Sequence, residues 1–198
     1  MKGVWSFDCD PEAPKTNISQ YQGNRRVSPA SIVGMPVFHD ERIYVAAGGD
    51  PWHGKRECWL KCIEATGVGE VTRTGLLWSY PLRRHCISTP SVVGGLAFIA
   101  DMGRVVHCVD TRTGRACWTH DLDGEVWGST LVADGKLYVG TDRGTLWVLA
   151  AGRDKQVLGS VDMGDPIHTT PVAANGVVYI ATMTRLYALA NPHTNPKD

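Results

Sequence analysis

Ser88-Thr89-Pro90-Ser91-Val92-Val93-Gly94-Gly95-Leu96-Ala97-Phe98-Ile99-Ala100-Asp101 returns 40 residues later as Gly128-Ser129-Thr130-Leu131-Val132-Ala133-Asp134-Gly135-Lys136-Leu137-Tyr138-Val139-Gly140-Thr141. A third copy, Thr169 to Thr182, follows 41 residues on, and Gly34 to Ala47 matches from the other side at an offset of 54. Each copy alternates apolar and polar residues, is rich in Val, Ile and Tyr, and is cut by Gly94-Gly95, Asp134-Gly135 or Asn175-Gly176. Those dipeptides supply the positive φ angles of two-residue hairpins, so the pattern spells antiparallel strands A and B. A short loop with Gly103 or Gly144 leads to strand C (Val105 to Asp110; Thr145 to Ala150), then Thr111-Arg112-Thr113-Gly114 and a strand D with Trp118. No convincing helix is present. Four strands per repeat of about 40 residues predict an all-β propeller of four four-stranded blades, near residues 27–80, 81–120, 121–162 and 163–192.

Working outward, Trp78 and Trp118 hold one place in two blades, and Leu158 is expected there in the third. A ring wedged between neighbouring sheets buries roughly 150–250 Å², so the tryptophans read as packing. The fourth copy ends at Ala190-Asn191-Pro192 after its strand C, whereas Val4-Trp5-Ser6-Phe7 resembles Ala116-Cys117-Trp118-Thr119. The expectation is that strand 4–7 closes the last blade. The ring then closes as a four-bladed monomer, or as eight blades in a homodimer, the reading preferred here; alternatively the chain is half of a longer propeller.

The 198 residues balance Lys+Arg 20 against Asp+Glu 20, which removes the field that would draw the chain to nucleic acid or an anionic membrane. No stretch approaches the roughly 20 apolar residues of a spanning helix, and Met1-Lys2-Gly3 runs into Val4 without the apolar run of a signal peptide. None of the six cysteines forms a Cys-x-x-Cys pair, and reduced, buried thiols are the expectation. Cys58 and Cys62, about 13 Å apart along one strand, can neither bridge nor share a metal.

Thr89-Pro90-Ser91-Val92-Val93, Gly135-Lys136-Leu137-Tyr138-Val139-Gly140, Leu146-Trp147-Val148-Leu149 and Val109-Asp110-Thr111-Arg112-Thr113-Gly114 followed by Trp118 resemble the PQQ-like propeller repeats, named for the pyrroloquinoline quinone dehydrogenases. Trp5-Ser6-Phe7-Asp8-Cys9, Gly49-Asp50-Pro51-Trp52-His53-Gly54 and Val126-Trp127-Gly128-Ser129 look like the C-terminal half of bacterial members. Family members that use the quinone hold it with a vicinal disulfide, a calcium ion and a catalytic Asp. This sequence has no adjacent cysteines and no matching Glu/Asn/Asp set, so neither PQQ nor calcium is expected. Members without the cofactor look like interaction scaffolds, and the family is typically exported, which implies a periplasmic or exported setting that no segment of this chain announces.

Blade geometry puts A–B and C–D turns on one face, and B–C loops and D–A connections on the other. Two insertions fall on that second face: the connection from Phe7 to about Val27, with Asn24, Arg25 and Arg26 in it, and the loop Gly48 to Glu57. Ordering long loops costs entropy without building core, so they mark function. The starts of the A strands bring Arg83, Arg84, His85, Glu125, Trp127, Asp165 and His168 to the same rim. The expected binding set is Trp52, His53, Arg84, His85, Glu125, Trp127 and His168, for a protein partner or a small polar ligand. Asp50-x-x-His53 offers two metal ligands, too few for a site, and reads as a turn opener. No Gly-x-Ser-x-Gly elbow, His-Glu-x-x-His helix or phosphate loop is present. The competing readings are a degenerate quinone-dependent dehydrogenase, a metal-dependent enzyme using His53, His85 and His168, or a purely structural half-ring.

Overall fold

The computed structural model describes residues 3–23 and 27–190. Asn24, Arg25 and Arg26 of the long connection, and the expected blade end at 191–192, lie outside them. After β1 (Trp5–Ser6) come β2 (Val37–His39), β3 (Arg42–Gly48), β4 (Cys58–Glu64), β5 (Gly69–Glu70) and β6 (Leu76–Pro81). Next are β7 (Ser91–Val93), β8 (Leu96–Asp101), β9 (Val105–Asp110) and β10 (Ala116–Asp121), then β11 (Leu131–Ala133), β12 (Lys136–Gly140), β13 (Thr145–Ala150) and β14 (Val157–Asp162). Last are β15 (Val172–Ala174), β16 (Val177–Ala181) and β17 (Leu186–Ala190). Three sheets are four-stranded, β2-β3-β4-β6, β7-β8-β9-β10 and β11-β12-β13-β14; the last, β15-β16-β17, has three strands among the described residues. The all-β propeller architecture is therefore present, with one 3₁₀ turn, at Ile18–Tyr21, as the helical exception among the described residues.

Inner strands touch in succession, β2 against β7, β7 against β11 and β11 against β15. A hydroxyl rung joins each pair: Met35 N–H donates to Thr89 Oγ1, Thr89 N–H to Ser129 Oγ and Ser129 N–H to Thr170 Oγ1, each at 2.9 Å. Thr and Ser at one place in successive repeats thus bind sheet to sheet around the axis. Between the sheets lie apolar layers. Phe98, Val106 and Cys108 pack with Trp118, Leu122, Val126 and Leu137 at one junction, and Leu60 and Cys62 with Ala97, Ile99 and Val109 at the previous one.

The tryptophans wedge as their spacing predicts. Trp78 Nε1 donates to Thr111 O of the next sheet at 2.9 Å, and Trp118 Nε1 to Gly152 O at 2.9 Å. Each ring leans on the preceding strand B aromatic, Tyr44 or Phe98, with centroids 5.9 Å apart. Leu158 does not hold this place in the third sheet. Trp118 pairs with Cys108, whose counterpart Val148 pairs with Gly159. The turn after β13 is one residue longer than its predecessor, since Ala150 N–H reaches Gln156 O where Asp110 N–H reaches Arg115 O, and the strand shifts by that residue. With Gly159 in the wedge position, a groove of about 800 Å³ remains between the third and fourth sheets, lined by Tyr138, Leu146, Val148, Val178 and Leu189.

The expected closure is corrected. β1 does not pair with the last sheet; it runs parallel to β5 in the enlarged β4–β6 connection, Trp5 beside Gly69 and Ser6 beside Glu70. Backbone bonds from Gly69 N–H to Val4 O and Val71 N–H to Ser6 O, and from Asp8 N–H to Thr72 Oγ1, hold it there. Its side chains explain the location: Trp5, Phe7 and Cys9 cover Ile43, Val45, Ala47 and Ile63 of the first sheet.

All six cysteines are free, and only Cys117 is partly exposed. Burial pushes the Cys58 thiol up to about 12 and the Cys62 thiol to about 11, which makes them inert core groups.

Candidate functional site

The face opposite the hairpin turns is built from contacts between B–C loops and D–A connections. Met102 N–H donates to His85 O, Leu122 N–H to Arg104 O and Asp142 N–H to Glu125 O. On the first sheet the two insertions are tied together. Lys55 N–H donates to Ser28 Oγ at 2.9 Å, Lys55 pairs with Asp10, and Ser31 N–H donates to Gly48 O at 2.6 Å. Gly49 permits the close pass of this loop, since a Cβ there would lie 1.7 Å from Lys55 O.

Asp50, 2% exposed, organises the loop. It accepts from the Ser31 hydroxyl, from the Trp52 and His53 backbone N–H groups at 2.8 and 3.0 Å, and meets His53 Nδ1 at 2.9 Å. Burial pushes its carboxyl up, but these hydrogen bonds from Ser31, His53 and the Trp52 backbone win and hold it below the usual carboxylate range. The Asp50-x-x-His53 spacing thus builds a turn with an ionised keystone. Trp52 projects outward.

Beyond this loop lies a cleft of about 410 Å³ lined by Arg56, Arg83, Arg84, Arg104 and Glu125. Arg84 stands 3.6 Å from Glu125, and Arg83 pairs with Asp121 at 2.6 Å. Among the described residues no ion pair reaches Arg56 or Arg104, and Arg84 Nε is buried with no hydrogen-bond partner. His85, 7% exposed, sits behind the cleft with Nε2 likewise unpartnered. Burial, then the Arg84 guanidinium, hold its imidazole below the ordinary value, against upward pulls from the Lys55 backbone and Asp50 and with Arg56 adding to the lowering. His85 thus joins the Asp50 loop to the arginine cleft.

Its pH consequence has a definite sign. A folded-state imidazole pKa below the unfolded one means the unfolded chain binds more protons, so this stability is complete above the unfolded value, about 6.5, and is lost as pH falls from there through the lower folded value. His120, lowered by burial and by Lys155, acts in the same direction. Urea midpoints measured at pH 7.5 and 5.5 are expected to drop for the wild type and to drop less for His85→Gln.

Of the sequence-predicted residues, Trp52, His53, His85, Arg84 and Glu125 fall around this one loop and cleft. Trp127 and His168 form a separate pair across the third and fourth sheets, ring centroids 5.5 Å apart. Arg56 and Arg104 were not singled out by sequence reasoning. Arg104 follows Gly103 in an ordinary B–C turn, at φ 64°, and only the packing of successive sheets aims it at the cleft.

Two polar networks lie inside the sheets; a buried, hydrogen-bonded His107 is one of the readings its place on strand C allows, but its partners are not legible in the sequence. His107 Nε2 meets Asp101 at 3.0 Å while its Nδ1 meets the Tyr80 hydroxyl at 3.0 Å, a buried chain between the first and second sheets. At the same place one sheet later, Trp147 Nε1 donates to Asp123 at 2.8 Å, which also accepts from Thr141 and Thr145. The offset of 40 between His107 and Trp147 was the available signal, because both residues offer a ring N–H to an acid. Each network is internally satisfied, as buried polar groups must be. Among the described residues no group of three or more His, Cys, Asp or Glu is placed to hold a metal ion.

Residues 64–188 match the family model PQQ_2, described as "Outer membrane protein assembly factor BamB". The chain belongs to this PQQ-like repeat family. It is similar to a quinohemoprotein alcohol dehydrogenase of Comamonas testosteroni, 34% identical over 108 residues, 48% of this chain and 15% of that protein. The BamB structure from Moraxella catarrhalis superposes with a TM-score of 0.64 at 15% identity over 84% of this chain and 46% of that one. The computationally designed Ika4 protein superposes at 0.68 and 11% identity over 96% of this chain and 98% of that one. The chain thus spans a small part of the dehydrogenase and about half of the BamB structure. The vicinal disulfide that the family resemblance associates with PQQ has no counterpart here, because no two cysteines are adjacent and five of the six are buried. These residues do not fit that mode of holding the quinone.

Proposed function

We propose that this PQQ-like propeller chain is a non-catalytic scaffold whose loop-rich face binds a protein partner or a small polar ligand, using neither PQQ nor calcium. The carrying observation is the arginine cleft: four guanidinium groups share one lining carboxylate, and a buried Arg84 Nε faces no partner. Guanidinium groups in fork geometry select carboxylates and phosphates, so the occupant is an acidic peptide segment or a small polycarboxylate. Trp52, outward on the same loop as Arg56, supplies an apolar anchor of the kind that dominates interfaces. The family descriptions point to both a protein-assembly factor and alcohol dehydrogenases; the arginine cleft, suited to an acidic partner, supports the first kind. The family resemblance supports a periplasmic or exported setting for such a protein.

Calorimetric titration with a Glu-rich hexapeptide, with citrate and with a Gln-rich control checks this. An acidic probe is expected to bind, to weaken steeply with salt, and to lose about tenfold or more in affinity in Arg84→Ala with Arg104→Ala, while the control stays silent. No binding by either acidic probe, or equal binding by the double variant, contradicts the reading.

A further inference from the structure

Cys108 and Cys117 lie side by side at an irregularity of the second sheet. Ala116 pairs with Val109 and Trp118 with Cys108, so Cys117 is the extra residue of a β-bulge between β9 and β10. A bulge re-aims its extra side chain, and Cys117 packs with Trp118 against the apolar layer that holds Cys108. The two thiols stand within hydrogen-bonding reach of each other. Opposed residues of an antiparallel pair have Cα atoms roughly 4.5–5.5 Å apart, inside the roughly 4.4–6.8 Å span that a disulfide accepts, and a bulge sets two residues against one. The first and third sheets carry the same bulge, with Leu77 beside Cys62 and Leu158 beside Val148. Packing at this place is therefore satisfied without a thiol pair, and of the three sheets only the second sets sulfur against sulfur.

Cys117 is also the thiol that a reagent can reach. It is partly exposed where Cys108 is buried, and it lines a cleft of about 410 Å³ on the hairpin face together with Arg112, Arg115 and Arg153. Arg153 Nη1 donates to Cys117 Sγ at 3.5 Å, and its Nη2 donates to Asp110 at 2.6 Å. Asp110 and Asp154 are the acids of the lining. Asp110 is taken up by Arg153 and by the turn at Thr113, and among the described residues no ion pair reaches Arg112 or Arg115. Three guanidinium groups against two carboxylates leave positive charge beside the sulfur, where the carboxylates of an entering reagent would sit.

We propose that Cys117 and Cys108 form a thiol–disulfide exchange site that takes a small disulfide carrying carboxylates. The Cys117 sulfur, as thiolate, attacks one sulfur of the reagent, the reagent's S–S bond breaks, and one half leaves as a thiol. Cys108, as thiolate, then attacks Cys117 Sγ, the mixed S–S bond breaks, and the other half leaves. The proton that each cysteine gives up ends on a departing half, so two protein thiols are oxidised as one reagent disulfide is reduced to two thiols. Burial, then the charge on Cys117, hold the Cys108 thiol above its ordinary value, against a downward pull from Arg153. The Cys117 contribution disappears once that sulfur is in a mixed disulfide, so the first step prepares the second. Cys58 and Cys86 share the preceding apolar layer, but both are buried, which makes them an internal control.

Intact mass and peptide mapping of the full chain after treatment with oxidised glutathione test the proposal. The expected product is a Cys108–Cys117 disulfide with Cys9, Cys58, Cys62 and Cys86 still reduced. Cys108→Ala is expected to stop with one glutathione held on Cys117. Arg112→Ala with Arg115→Ala is expected to slow the first step about tenfold with oxidised glutathione, and less than about twofold with uncharged hydroxyethyl disulfide. An unreacted wild type, a wild type that keeps glutathione on Cys117, or a double arginine variant that treats the two reagents alike overturns the proposal. The wild-type mapping stands whether or not the variants fold. This cleft is on the face opposite the Arg84 cleft, so the acidic-probe titrations are read independently of it.

Discussion

Trp118→Ala is expected to cost about 3–5 kcal/mol, a large share of the roughly 5–15 kcal/mol that holds a domain of this size together. The ring is buried against Phe98, with the second and third sheets on either side, and its Nε1 supplies the bond to Gly152 O. Truncation leaves a void between rigid sheets that cannot collapse inward, and leaves the Gly152 carbonyl without that donor. Trp52→Ala is the control: its ring stands in solvent on the loop, and its loss is expected to stay within about 0.5 kcal/mol. Urea unfolding of both variants checks the contrast. Equal effects would mean that the tryptophans at the repeat position are not the wedges the structure makes them.

Gly140→Ala is expected to destabilise by about 1–3 kcal/mol, and Ile167→Ala to cost less in that background than in the wild type. Across successive junctions the strand B residue and the residue entering the next sheet trade volume: Ala46 with Cys86, Ala100 with Val126, Gly140 with Ile167. A Cβ on Gly140 would lie 2.3 Å from Ile167 Cγ2, which has no room to retreat because Ile167 is fully buried. Val at 167 would keep that Cγ2, so the compensating change has to reach Ala to remove the closest contact. In a double-mutant cycle the two changes should couple by more than about 0.5 kcal/mol, whereas additive losses would show that the junctions do not share a packing rule.

The repeat, the hairpin turns and the wedge tryptophans were legible because each rests on local chemistry. Asp134-Gly135 fixes a turn wherever it occurs, and strict alternation fixes which residues face a neighbouring sheet. Legibility ended where a position depends on sheet-to-sheet register. Leu158 was read at the wedge position because a one-residue longer turn is invisible to a constant offset. β1 is a strand as its resemblance to β10 suggests, but its expected place was the last sheet, whereas it pairs with β5 and three apolar side chains bind it to the first sheet. The rim behaved in the same way. Asp50-Pro51-Trp52-His53 announced a turn, yet nothing local indicates that Arg56 and Arg104, 48 residues apart, line one cleft.

Amide exchange tests most directly the account of sheets packed face to face along the repeat. β8 is paired on both sides and buried throughout, whereas β15 pairs only with β16 among the described residues and is exposed along its length. Hydrogen–deuterium exchange is predicted to show the Leu96–Asp101 segment among the slowest in the chain and the Val172–Ala174 segment far faster. Equal exchange of the two segments would contradict it.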